Sequence, residues 1–182
     1  MAPRIPPLPP TGNPPDVQAL IAESTSTVGA NNLMLTLANY PGLLRKWLPF
    51  GGKLLFGGKL PPRIRELVIL RSAWVCQSDY EWGQHRIIGR QAGLRDDEID
   101  RVVKGADDPQ WSAEESLVLR ATDQALADRR LDDATYEALA DRYDTPQVME
   151  LLFLAGHYAM LACVLNTAGV ERDPGIDGFP AT

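Results

Sequence analysis

Apolar residues recur along most of this chain three and four positions apart, and no region alternates for long with the period of two that marks a half-buried strand. The pattern predicts an all-α protein. The opening "PRIPPLPPTGNPP" is the exception, because each proline removes an amide donor and restricts the residue before it. Residues 1–15 are therefore expected to form an extended Pro-rich arm, either disordered or laid on a neighbouring subunit with Ile5 and Leu8 buried there.

A single helical domain is expected over 16–172. "DVQALIAES" opens it with an acidic cap, and "NNLMLTLANYPGLLRKWLPF" carries Leu33, Leu37, Tyr40, Leu44 and Leu48, with Pro41 dividing two helices. The paired glycines of "GGKLLFGGKLPP" predict a flexible join. It is no phosphate loop, since Lys59 is followed by Leu60. "LPPRIRELVILRSAWVCQS" and "DYEWGQHRIIGRQAGL" read as two consecutive helices, the first started by its prolines. After the short acidic helix "RDDEIDRVVKG", the break "DDPQW" precedes a helix with a Ser-x-x-Glu capping box at Ser112 and Glu115. "DDATYEALADRYD" is another short helix. The nearly all-apolar "TPQVMELLFLAGHYAMLACVLNTAG" is expected at the centre of the fold or at a subunit interface. Residues 173–182 read as a loop that Phe179 could anchor.

With 182 residues the chain can bury one ordinary core, and 45% hydrophobic with 23% charged residues is an unremarkable globular balance. The net charge of -6 argues against a nucleic-acid partner that needs phosphate neutralisation. No uninterrupted apolar run suggests a membrane span, and the first residues have no apolar signal-peptide core. Cys76 and Cys163, far apart in sequence, form no C-x-x-C pair and fit a reducing, cytoplasmic setting as small core residues.

The chemistry concentrates in "CQSDYEWGQH", Cys76 to His85. On a helix Glu81 and His85 share a face, and Glu66 lies on the helix before. A carboxylate beside an imidazole can fix its tautomer and stabilise its protonated form, which suits a general acid or base. The same spacing also occurs on ordinary helix surfaces. A metal site built from His85, His157, Glu81 and Glu66 would lack the usual His-x3-His or Glu-x-x-His spacing, so no metal is expected.

The segment "RELVILRSAWVCQSDYEWGQHRIIGRQAGLRDDEI" resembles the helical core of the carboxymuconolactone decarboxylase family, which includes the alkylhydroperoxidase D-like proteins. The resemblance runs over about 60–103 and is supported by "GHYAMLACVLNTAGV". It implies an all-α helical bundle of the alkylhydroperoxidase D-like type, assembled as a homo-oligomer, often a trimer or a multiple of it, with sites near subunit contacts. The thiol-dependent branch has Cys-x-x-Cys followed after three residues by His; here Ser78 and Glu81 stand at those cysteines. Dithiol peroxidase chemistry is therefore disfavoured. The decarboxylase-type branch is similar to this chain in having a glutamate four residues before the histidine, as Glu81 and His85.

What the resemblance implies is a cofactor-independent lyase or isomerase acting on a small carboxylated lactone or an enolisable carbonyl compound. His85 would move the proton, and Glu66 or Glu81 would orient and tune it. Arg71 and Arg65 are the candidates for gripping an anionic substrate, against the alternative of structural ion pairs. Tyr158 could offer a hydroxyl and Trp82 a pocket wall, although both residue types at helical spacing also suit a core. Two alternatives stand beside this reading. One is a non-catalytic, ligand-binding helical oligomer, and the other is residual redox activity through Cys76, resolved by Cys163 or a second subunit.

Overall fold

The computed structural model describes residues 2–26 and 31–180, so the outermost residues of the arm and the tail lie outside it. Among the described residues nine α-helices follow one another: α1 (Pro15–Thr25), α2 (Asn32–Leu37), α3 (Pro41–Phe56), α4 (Pro62–Val75), α5 (Asp79–Gln91), α6 (Asp96–Arg101), α7 (Ala113–Asp128), α8 (Asp133–Ala140) and α9 (Thr145–Ala168). No strand occurs among the described residues.

At the centre is α4, packed on α5, α7 and α9. Its run "ELVILRSA" is apolar on nearly every side because neighbours surround it, and Leu67, Val68, Ile69, Leu70 and Ala73 are fully buried. Such all-round burial explains an apolar run that by itself resembles a strand. Pro62 occupies the first turn, where its missing N–H has no helical partner to lose. The capping box of Ser112 and Glu115 starts α7, and the same device recurs at Asp144 and Gln147 of α9.

The N-terminal elements form a smaller cluster of their own, in which Leu20, Ile21, Leu35, Ala38 and Leu44 pack together with Leu8 of the arm. The described part of the arm packs on its own chain. The amides of Arg4 and Ile5 both donate to the Ala168 carbonyl, capping the end of α9, and Leu8 N–H donates to the Leu35 carbonyl. Ile5 remains exposed.

The expected join falls at the second glycine pair, Gly57 and Gly58, and not at the first. Pro49, Gly51 and Gly52 all lie inside α3, which runs to Phe56, because Leu44 and Leu54 keep its buried face continuous. The chain turns only afterwards, where the Glu150 carboxylate accepts from the amides of Lys59 and Leu60.

By length and composition α9 could cross a bilayer, with a mean hydropathy of 1.9 over its most apolar window, a property the sequence reading did not credit. Half of that window is buried inside this fold. Its outward face carries Met149, Phe153, Met160 and Val164, all exposed.

Phe179 anchors the tail, its ring edge-on to Trp74 at 5.2 Å and tilted against Trp82 at 5.6 Å. The tail crosses α5 at Gly83, where a Cβ atom would lie 2.7 Å from the Asp177 carbonyl oxygen. Gly83→Ala is therefore expected to release the tail, read as increased proteolysis near residue 177 with the helical circular dichroism retained.

Candidate active site

Helix α4 brings Glu66 to the interior with no exposed surface, and α5 sets Glu81 and His85 one turn apart on the face that meets α4 and α9. Glu66 accepts two hydrogen bonds, from Arg65 Nε at 2.8 Å and from His85 Nδ1 at 2.7 Å. Burial would raise the Glu66 carboxyl, but the imidazole and then the Arg65 guanidinium outweigh it and hold it below its ordinary value. An ionised Glu66 requires the proton on His85 Nδ1, which leaves Nε2 as the free nitrogen of the ring.

Glu81 is in a different state. Neither of its oxygens has a hydrogen-bond partner, and only 2% of the residue is exposed. Burial pushes the carboxyl up to about 8, with a smaller opposing pull from the nearby Ser78 hydroxyl, which itself makes no well-formed hydrogen bond. At neutral pH Glu81 is therefore mostly the uncharged acid, one helical turn before His85.

Both residues line a cavity of about 400 Å³ roofed by the N-terminal helices and floored by α5 and α9. Tyr158 of α9 sets its ring edge-on to His85 at 4.9 Å, and burial keeps its hydroxyl protonated. His157 stacks on Trp47 of α3 at 5.6 Å; burial, helped by His85, lowers it to about 4, so it is neutral. Gly51 makes this stack possible, since a Cβ there would sit 3.3 Å from the Trp47 ring and 3.5 Å from His157 Nε2. Gly51 thus serves close packing, not a turn.

Tyr80 and Gln84 were missed as lining residues, although their positions beside Glu81 and His85 on one helical face could have identified them. Both hydrogen-bond to Asp173 of the tail, whose other oxygen accepts from the Asn32 amide at the start of α2. Trp47 and the rest of the α3 wall carried no local signal, because their role depends on how α3 lies over α9.

Three expected site residues fall elsewhere. Arg71 does not reach the cavity: its guanidinium is bound to Asp123 at 2.6 Å and to the carbonyls of Val102 and Val103. Arg71→Met is expected to cost about 2 kcal/mol or more in denaturant unfolding, by leaving buried acceptors unpaired, with ligand binding unchanged. Arg65 is adjacent but faces Glu66, outside the cavity wall. Trp82 is fully buried against Trp74 and Phe179 and also lies outside that wall. No Lys or Arg lines the cavity among the described residues, so nothing in the wall grips a carboxylate.

Cys76 is half-buried outside the cavity wall, its thiol pushed up by burial and by Glu81, a setting that favours the protonated form. Cys163 is exposed on α9 and not a core residue. Among the described residues no group of three or more His, Cys, Asp or Glu side chains is arranged to hold a metal ion.

Comparison with known proteins agrees with this architecture. The sequence model of the Carboxymuconolactone decarboxylase family matches residues 41–124, a span that contains Glu66, Glu81 and His85. No curated protein matches the chain. A peroxidase-related protein from Silicibacter sp. TM1040 superposes with a TM-score of 0.83 at 15% identity, covering 98% of both chains. An alkylhydroperoxidase AhpD core protein from Ralstonia eutropha JMP134 gives 0.79 at 19% identity over 93% of each. The debrominase Bmp8, in complex with 2,3,4-tribromopyrrole, gives 0.76 at 13% identity, covering 96% of this chain and 94% of its own. Residues 41–124 are thus similar to the carboxymuconolactone decarboxylase family, and the chain has an all-helical fold of the AhpD-like type.

Proposed function

We propose that the protein is a cofactor-independent lyase or isomerase that moves a proton on a small enolisable carbonyl compound. The observation that carries this reading is the buried Glu66–His85 pair at 2.7 Å, with His85 and an unpartnered Glu81 at the wall of the cavity. His85 Nε2 takes the proton from the carbon next to the carbonyl, and the C–H electrons pass into the enolate. Glu66 stabilises the resulting imidazolium, while the neutral Glu81 donates to the enolate oxygen. The imidazolium then returns the proton, to the same carbon or to its conjugated neighbour.

Binding of tribromopyrrole by the debrominase of the same fold supports a single-ring occupant of this size. The reading is tested by assaying enolisable ketones and lactones with the wild type and His85→Ala. Loss of turnover in the variant supports it, and unchanged turnover of every accepted compound refutes it.

We also infer that the apolar outer face of α9 packs against further copies of the chain. Phe153, 54% exposed with Phe50 edge-on at 6.0 Å, is at the middle of that face. Phe153→Glu is expected to reduce the mass measured by light scattering after gel filtration from that of an oligomer to that of one chain. A wild type that already runs as one chain contradicts the inference.

A further inference from the structure

The cavity carries information about its occupant beyond the reaction type. Its wall is largely apolar, with Leu33, Met34, Leu48, Leu55, Ile88 and Leu161 contributing. Titratable groups reach it from every side: Glu81 and His85 from α5, His157 and Tyr158 from α9, Tyr80 again from α5, and Glu23 of α1 at its rim. None is a lysine or an arginine. The nearest guanidinium, Arg65, is already balanced by Glu66.

Three groups in this wall are shielded from solvent and have no hydrogen-bond partner in the described chain: the Glu81 carboxyl, Trp47 Nε1 and His157 Nδ1. Unpartnered polar groups of this kind are uncommon in folded proteins and are satisfied at little cost when a ligand supplies the complement. Trp47 Nε1 can only donate, and a carboxyl without a cation is most favourable as the neutral donor. Two donors and an apolar wall define a molecule that accepts hydrogen bonds and brings no charge.

We propose that the cavity selects an uncharged, mainly apolar ring compound carrying a carbonyl-type acceptor, and that it excludes carboxylates. This inference rests on the acid–base reading above, in which His85 and Glu81 face the occupant of the cavity. A carboxylate placed here loses its water and finds no Lys or Arg in the described wall to replace it, so it is pushed out. Selection therefore comes from unfavourable interactions with the anion as much as from contacts with the ketone.

The test uses one skeleton in two charge states. Acetophenone and para-acetylbenzoate differ by a carboxylate, and cyclohexanone and its ring carboxylate make a second pair. Isothermal titration calorimetry with the full-length wild-type protein at neutral pH is expected to show saturable, one-per-chain binding of the neutral members. The carboxylates are expected to bind roughly 100-fold more weakly or worse. Equal or tighter binding of either carboxylate overturns the inference, as does failure of both neutral ketones to bind. A carboxylate preference combined with His85-dependent turnover removes this inference and spares the acid–base reading. Neutral preference with turnover insensitive to His85→Ala does the reverse.

Discussion

Glu81→Gln is expected to make the protein more stable at alkaline pH and to leave it nearly unchanged near pH 5. In the folded chain the Glu81 carboxyl is pushed by burial to about 8, against an ordinary value of 4.5. Between those values the unfolded chain has released this proton while the folded chain keeps it. The folded state therefore binds more protons, and stability falls as pH rises through this window. Glu81 costs the protein nothing below 4.5, and above about 8 its penalty is complete, on the order of 4 kcal/mol.

The glutamine cannot ionise, so the difference in unfolding free energy between the two proteins isolates this one group. His157 contributes in the opposite direction. It is lowered to about 4 from 6.5, so its share of stability is lost as pH falls through that range, and it cancels in the comparison. Urea unfolding of wild type and Glu81→Gln from pH 5 to 9 is the measurement. A difference that grows by several kcal/mol is expected, and a flat difference shows that Glu81 is ionised and solvated.

The second large effect is expected at Glu66, which touches no cavity surface. Glu66→Gln is expected to slow proton transfer by roughly 10²–10⁴-fold, about as much as His85→Ala. The carboxylate fixes the His85 proton on Nδ1 and stabilises the imidazolium. An amide at that position can present its N–H to Nδ1, which moves the ring proton to Nε2 and removes the base. The double variant is expected to be little worse than either single one, because the two residues act as a unit. A merely structural role for Glu66 would instead lower stability and leave kcat and its pH profile unchanged in the protein that remains folded.

Much of the fold was visible in the sequence because its helices announce themselves locally. Ser112 with Glu115, the prolines before α4 and the glycine after α9 are signals within a few residues of the ends they define. Glu66, Glu81 and His85 were accessible for a related reason: two lie on one helical face, and the third precedes them in a family motif. The structure buries all three and hydrogen-bonds Glu66 to His85.

What failed was long-range. Gly51 and Gly52 read as a join, yet Gly51 is required by the approach of Trp47 and His157, residues 110 positions apart. Arg71 resembled a substrate ligand because an arginine on the right helix has no sequence mark of the Asp123 it pairs with, 52 residues away. The prolines of the arm predict an extended segment and give no sign of what it lies on. Its hydrogen bonds to Ala168 and Leu35 come from the rest of the chain. In each case the deciding partner is invisible to a window of one or two turns.

The most direct test of the account follows deuterium uptake from heavy water into the carbon beside the carbonyl of bound acetophenone, by proton NMR, for wild type and His85→Ala. The account predicts uptake well above the buffer rate in the wild type and at the buffer rate in the variant, with the ketone still bound. Bound ketone that exchanges no faster than in buffer, or equally fast without His85, would contradict the assignment of acid–base chemistry to this site.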